Sequence, residues 1–109
     1  MKNFVIYLAI VLLPTSAGGH HANVEHDSSR VSEFEGQVTA VSWRNPHVQM
    51  SLSVTEENGS EVTWHLEAQD VNSLGRRGLT AELVPEGTTV RVAGNPSYTG
   101  HSLYVTNLL

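Results

Sequence analysis

The chain has 109 residues, 39% of them hydrophobic and 16% charged, which suits one small folded domain and excludes a disordered chain or a coiled coil. Its 11 acidic and 6 basic residues give a formal net charge of -5, which argues against general binding to nucleic acids or acidic membranes. The chain has 6 histidines and no cysteine. Disulfides, thiolate metal sites and cysteine nucleophiles are therefore excluded, and nitrogen atoms become the candidate metal ligands.

The N-terminus has the layout of a secretory signal peptide. Lys2 supplies positive charge, residues 4–13 are apolar without interruption, and Pro14 and the small residues 15–19 follow. A helix of ten residues spans about 15 Å, roughly half of a bilayer core. A buried helix and a single membrane anchor are the alternatives. We predict that residues 1–19 are removed on export to a bacterial periplasm or medium, which leaves about 90 residues, a net charge of -6 and no stable membrane anchor.

A polar segment precedes the first strand. Residues 20–32 are polar and without periodicity, which predicts a flexible N-terminal segment before a domain that spans residues 33–109. Polar and apolar residues alternate from 33 to 43, but the phase changes between Ala40 and Val41. A phase change inside one strand predicts a β-bulge of the kind that turns a barrel corner. The predicted inward face carries Phe34, Gly36, Val38 and Ala40, followed by Val41 and Trp43 in the other phase.

Two further alternating segments predict a β-hairpin. Residues 47–54 and 62–68 alternate cleanly, and residues 57–59 (E-N-G) between them suit a tight loop with positive φ at the glycine. A three-residue loop places Leu52 opposite Trp64, with both side chains inward. A two-residue turn would shift the register by one position and mix polar and apolar faces. We therefore predict the three-residue loop.

The alternation breaks after the hairpin, where a short helix is expected. Asp70 is placed to cap a helix that runs through Leu74 and ends at Gly75 or Gly78, and residues 80–83 can add a further turn.

Two more strands complete the predicted domain. They are expected at 89–94 and 101–108, with turn chemistry at Asn95-Pro96 between them. The order β-β-β-α-β-β with a bulged first strand is that of the OB-fold. We predict an all-β protein with one short helix, a small OB-like five-stranded antiparallel β-barrel. Another small antiparallel sandwich or roll is the alternative.

Two motifs resemble a known family. Residues 35–47 (EGQVTAVSWRNPH) contain the pattern G-x-V-x-x-V-x-W-x-N-P-H, and residues 74–78 read L-G-R-R-G. With the signal peptide and the pair His20-His21, they resemble an uncharacterised family of small exported bacterial proteins, a domain of unknown function. The resemblance implies an exported single domain of OB-like shape and brings no established activity.

The histidines near the predicted cleavage site are candidate metal ligands. Cleavage after residue 17 or 18 would place His20 or His21 third in the mature chain, and cleavage after residue 19 would place His20 first. An α-amine, backbone amides and an imidazole then provide the nitrogen set that Cu(II) and Ni(II) prefer. In the last case His21, His26 or His47 could add a further imidazole. The alternative is that the pair is merely polar sequence beside a cleavage site.

His47 has a second possible role on the barrel. In the predicted register it lies opposite Gln69 and diagonal to Glu67, where a carboxylate can fix the tautomer of an imidazole. The alternative is a structural bond to the backbone of the Asn45-Pro46 turn.

Aromatic and basic residues are candidates for ligand binding. Trp43 and Trp64 either form an aromatic platform or close the barrel core, and Asn45 lies in the adjoining turn. The pair Arg76-Arg77 either binds an anion or forms ion pairs with some of the acidic residues.

No enzymatic motif such as G-x-S-x-G, H-E-x-x-H or a phosphate-binding loop occurs in the chain. Three functions remain open. The first is an exported non-catalytic binding or accessory protein that holds copper or nickel through His20, His21, His26 or His47. The second is a metal-free module that docks a periplasmic partner protein or small ligand on the barrel face. The third is a small copper-dependent oxidoreductase.

Overall fold

A computed structural model describes residues 25–108, which form a closed barrel of five strands. The elements are β1 (Ser32–Ser42), β2 (Gln49–Thr55), β3 (Glu61–Glu67), α1 (Val71–Arg76), a 3-10 helix (Ala81–Leu83), β4 (Thr89–Pro96) and β5 (Ser102–Leu108). The order of the strands around the barrel is β1-β2-β3-β5-β4. The predicted order of elements is therefore confirmed, including the short helix between β3 and β4.

Strand β1 closes the barrel by pairing with β4 through its first half and with β2 through its second. The register against β2 shifts between Val38 and Ala40, so the bulge lies at Thr39. The predicted bulge is confirmed, but its predicted position was wrong by one residue. Ala40 is exposed and Val41 is partly buried, because the extra residue reverses the faces before Ala40 rather than after it.

The β2–β3 hairpin has the predicted register. Leu52 pairs with Trp64, and the pairing runs from the Gln49–Glu67 pair to the Thr55–Glu61 pair. The backbone N–H of Glu56 donates to the carbonyl of Ser60 at 2.8 Å, which leaves a three-residue loop. Gly59 in this loop has φ 85°, a conformation that side chains with a Cβ rarely adopt.

The other edge of β3 differs from the prediction. An antiparallel barrel was expected throughout, but β3 and β5 are parallel and share three residue pairs, from His65–Ser102 to Glu67–Tyr104. The connection through α1 and β4 brings the chain back in the same direction, which a parallel pair requires. Beyond Glu67 and Tyr104 no further pairs join the two strands.

Strand β4 runs further than the sequence indicated. Asn95 pairs with Tyr104 and Pro96 with Leu103, so the turn expected at Asn95-Pro96 lies instead at residues 97–101. Pro96 is the last residue of β4, where its carbonyl accepts a hydrogen bond of 2.8 Å from the backbone of Asp27. A strand end tolerates proline because fewer ladder bonds are lost there.

Helix α1 has the predicted caps at both ends. The Asp70 carboxylate accepts from the backbone N–H of Ser73 at 3.1 Å and from its hydroxyl at 2.6 Å. At the other end Gly78 has φ 87°. Its N–H donates to the carbonyl of Gly75, and the N–H of Leu79 donates to that of Leu74, each at 3.0 Å. These two bonds form a Schellman motif, in which a residue with positive φ ends the helix.

The hydrophobic core has two parts. The larger fills the barrel and contains Val38, Met50, Leu52, Leu66, Val84, Val90, Val92 and Leu103. The smaller lies under α1 and contains Val48, Ala68 and Leu74. Trp43 and Leu79 are partly buried and pack against both parts, so they join the helix to the barrel.

The chain before β1 lies against the barrel from residue 25 onward. His26 forms a β-bridge with Ser97 and is 3% exposed. The described part of the segment that we expected to be flexible, residues 25–31, therefore includes an anchor point at the β4–β5 corner.

Candidate functional site

A polar groove of about 350 Å³ lies on the outer face of β1, β2, β3 and β5. Alternate residues of each strand point outward, so polar side chains from neighbouring strands lie side by side. The polar residues that line the groove are Ser42, Gln49, Ser51, His65, Glu67 and Ser102. We call this surface the outer groove.

His47 lies next to the outer groove, just before β2. Its Nδ1 atom is 3.0 Å from the carbonyl oxygen of Ala68 and 3.8 Å from Oε1 of Glu67. A carbonyl only accepts, so Nδ1 carries the proton and donates it. In the neutral imidazole, the Nε2 atom then keeps its lone pair, on a side chain that is 36% exposed. The bond goes to the end of β3 rather than to the Asn45-Pro46 turn, which was the alternative considered for this residue.

His26 occupies a different environment. Its Nε2 atom is 3.3 Å from the Ser102 hydroxyl, and its ring centroid is 6.1 Å from that of Tyr104. Because Ser102 lines the outer groove, the buried His26 fixes the N-terminal segment at the edge of that groove. Of the four histidines proposed as metal ligands, His20 and His21 lie outside the described residues.

The two described candidates do not form a metal site alone. Within residues 25–108, no group of three or more histidine, aspartate or glutamate side chains is arranged to hold a metal ion. His47 is therefore at most one ligand of a site that needs donors from elsewhere.

Trp43, Trp64 and Asn45 contribute to the fold. Both tryptophans are partly buried against the core, and the Trp64 ring centroid lies 4.5 Å from that of Phe34. The Asn45 side-chain oxygen accepts a 2.9 Å hydrogen bond from the backbone N–H of Val71, which ties the β1–β2 loop to the start of α1.

Arg76, the last residue of α1, and Arg77, which follows it, form no ion pair with a carboxylate in the described part of the chain, contrary to the alternative considered for them. Arg76 donates to the Ser73 hydroxyl at 3.2 Å. Among the residues that the structure describes, the arginine that pairs with a carboxylate is Arg91, whose Nε lies 2.6 Å from Glu33. Arg76 and Arg77 thus remain available to an external anion.

Tyr104 connects the outer groove with the α1 region. Burial raises the pKa of its phenol above the usual value, and the negative charge of Glu67 raises it further. The positive charge of Arg77 lowers this pKa, whereas the negative charge of Asp70 raises it, as that of Glu67 does. Burial and the nearby carboxylates therefore both favour the neutral form of the phenol. The sequence did not identify Tyr104, because its position beside Glu67 depends on the parallel β3–β5 pairing.

Solved structures with the same architecture are OB-fold proteins. The mitochondrial single-stranded DNA-binding protein Rim1 of S. cerevisiae superposes with a TM-score of 0.56 at 12% identity, over 73% of this chain and 91% of that one. Yeast Stn1 and Ten1 match with a TM-score of 0.49 at 11% identity, over 72% of this chain and 41% of that one. At 12% identity, the likeness to Rim1 establishes the OB-like barrel and nothing about ligands.

Sequence comparisons give the family. No curated protein matches the chain significantly. Among the described residues, no helix is long and apolar enough to cross a membrane. Residues 9–105 match DUF6152, a family of unknown function. This match covers most of the sequence, and the chain therefore belongs to that family.

Proposed function

We propose that the protein is an exported, non-catalytic binding protein that holds one Cu(II) or Ni(II) ion between its mature N-terminus and His47. The observation that carries this proposal is the hydrogen bond from Nδ1 of His47 to the carbonyl of Ala68.

That bond gives His47 the environment of a metal ligand. A histidine that binds a metal through one nitrogen usually donates its other N–H to a carbonyl or carboxylate, which fixes the tautomer and the ring orientation. His47 has a carbonyl at 3.0 Å and the Glu67 carboxylate at 3.8 Å from the same nitrogen. Its Nε2 atom is therefore the nitrogen that can bind the metal ion, on a side chain that solvent reaches.

The remaining donors are those of the mature N-terminus. Removal of the signal peptide would place an α-amine beside His20 and His21. His21 precedes His26 by five residues, so the covalent chain limits their Cα atoms to a separation of about 18 Å. Since His26 is held at the edge of the outer groove, a segment of this length is long enough to reach that face. Nitrogen ligands without thiolates favour copper or nickel over zinc.

The proposal can be tested on protein purified from the periplasm, whose intact mass gives the cleavage site. Titration calorimetry with CuCl₂ measures the affinity of the natural protein and of the variants His47→Ala and His65→Ala. His65 is a matched control, since it is an exposed histidine that lines the outer groove, next to which His47 lies.

We expect His47→Ala to weaken Cu(II) binding at least tenfold and Glu67→Gln to weaken it about tenfold. His65→Ala should leave the affinity within a factor of two. Loss of binding in His20→Ala and His21→Ala together, with full affinity in His47→Ala, would place the ion on the tail alone and remove the barrel from the site.

The outer groove supports a second candidate, a metal-free module that binds a neutral polar segment of a partner protein. OB-folds commonly bind ligands on the face of their second and third strands. Binding of single-stranded nucleic acid requires cationic side chains and aromatic platforms. The residues that line this groove include no lysine, arginine, tryptophan, tyrosine or phenylalanine; their one ring is that of His65, and they include the carboxylate of Glu67. We therefore expect no saturable change in fluorescence anisotropy when labelled oligothymidylate is titrated with the protein at 150 mM salt.

A further inference from the structure

The edge where β3 and β5 separate contains a second cavity. The strands share three residue pairs, and past Glu67 and Tyr104 they diverge around α1. A pocket of about 340 Å³ fills the gap. Its apolar wall includes Met50, Leu74, Leu79 and Val105, and its polar rim includes Thr106 and Asn107. We call it the seam pocket. Its volume is at the lower end of the range in which protein pockets hold small ligands, about 300–1000 Å³.

Arg77 is the one charged residue among those that line the seam pocket. It is exposed, and it forms no ion pair with a described carboxylate. The Schellman motif explains its location. Gly78 turns the chain directly after it, and the N–H of Leu79 bonds back to Leu74, so Leu79 packs under the helix while Arg77 stays at the rim. A cavity with an apolar wall, a polar rim and one unpaired guanidinium suits an anion that carries an apolar group.

We propose that the seam pocket binds a small monocarboxylate with a short apolar chain, whose carboxylate pairs with Arg77. A guanidinium matches the planar carboxylate with two parallel donors. A single positive charge suits a monoanion better than a phosphate dianion, because the protein carries a net negative charge that disfavours the second charge. The apolar chain contacts the wall formed by Leu74, Leu79 and Val105. The site is separate from His47 and does not rest on metal binding.

The experiment uses the ¹⁵N-labelled protein, titrated with sodium hexanoate and followed by two-dimensional NMR. Acetate tests the anion without the chain, and hexylamine tests the chain with the opposite charge. Arg77→Gln removes the proposed partner of the carboxylate. Arg76→Gln is the matched control, since Arg76 is the preceding residue and bonds to Ser73 rather than lining the pocket.

We expect hexanoate to shift the amide signals of residues 74–79 and 105–108 in a saturable manner, while acetate and hexylamine bind at least fivefold more weakly. Arg77→Gln should weaken hexanoate binding about fivefold to tenfold, the effect of losing a charge-assisted pair that is partly open to water. Arg76→Gln should change it less than twofold. The proposal is wrong if hexanoate produces no saturable shifts at these residues, or if the two arginine variants lose affinity equally while retaining the spectrum of the folded protein.

Discussion

Strand β3 pairs differently along its two edges, and this difference accounts for both the outer groove and the seam pocket. Against β2, the strand makes seven antiparallel pairs that end in a tight loop. Against β5, it makes three parallel pairs. The paired residues are distant in sequence: His65 and Ser102, for example, are 37 positions apart. The first edge aligns side chains into the continuous polar surface of the outer groove. The second stops early and leaves the space that becomes the seam pocket.

The difference follows from how each edge forms. A hairpin brings together residues that are close in sequence, so its register is set by a local turn and by alternation of apolar residues. A parallel pair depends on a crossover through α1 and β4, and the slanted bonds of parallel strands are slightly weaker per residue. We therefore expect the edge between β2 and β3 to be rigid, and the edge between β3 and β5, at the seam pocket, to tolerate substitutions and structural changes more readily.

Matched leucine substitutions at the two edges should give the largest difference. Leu52 is fully buried at the centre of the hairpin, whereas Leu79 is partly buried in the wall of the seam pocket. We expect Leu52→Ala to lower the free energy of unfolding by about 3–4 kcal/mol, because it leaves a closed cavity. Leu79→Ala should cost about 1–2 kcal/mol, because it enlarges a space that water already reaches. Urea unfolding of both variants measures the difference, and equal losses would show that the seam is packed as tightly as the hairpin.

The same contrast decides which parts of the structure the sequence could predict. The register that pairs Leu52 with Trp64 follows from alternation and loop length alone, and so does the proximity of His47 to Glu67. The cap at Asp70 is equally local. By contrast, the parallel pairing of β5, the position of Tyr104 and the seam pocket depend on contacts between distant segments, for which a single sequence has no periodic signal.

The position of the bulge in β1 and the role of Pro96 are two further features that could not be predicted correctly from the sequence alone. The sequence indicated that β1 changes phase, but alternation alone could not decide whether the extra residue is Thr39 or Ala40. Asn95-Pro96 reads as a turn from its composition. It becomes a strand end because β5 and the backbone of Asp27 supply partners for it, and Asp27 lies far away in sequence.

Replacing the loop glycine of the hairpin should have an intermediate effect. Gly59 has φ 85°, and a Cβ at this position would meet no atom within 4 Å. The cost of Gly59→Ala is therefore purely conformational, and we expect a loss of about 1 kcal/mol in the free energy of unfolding. Urea unfolding checks the value, and the β2–β3 register should survive, since seven pairs maintain it. An unchanged stability would mean that the loop readily adopts another turn.

The corresponding change on the seam side should have the opposite sign. Gly75 lies inside α1 without a positive φ, and a Cβ there would also meet no atom within 4 Å. Alanine has the higher helix propensity, so Gly75→Ala should raise the free energy of unfolding by about 0.5 kcal/mol. The same urea assay applies. A loss of stability would indicate instead that the end of α1 has to open and needs the conformational freedom of a glycine at position 75.

The smallest effect should be the response of α1 to acid. Hydrogen bonds from the side chain and then the backbone of Ser73 lower the pKa of the Asp70 carboxyl below its usual value. The unfolded chain therefore takes up the proton first as the pH falls. The contribution of Asp70 to stability is complete above the usual aspartate pKa and is lost as the pH drops through the lower value in the folded state. Amide protection at Ser73 and Leu79 should then decrease in the natural protein as the pH falls below the usual aspartate pKa of 3.8, while protection at Leu52, in the hairpin, changes less.

Asp70→Asn provides the control for this acid response, because asparagine also caps helices but does not titrate. In this variant the additional loss of protection in α1 should be absent over the same pH range. If protection in the helix and in the hairpin fell together in both proteins, acid would be unfolding the whole barrel at once. The seam would then not open independently, because the three β3–β5 pairs and the α1 caps would couple it to the hairpin as one cooperative unit.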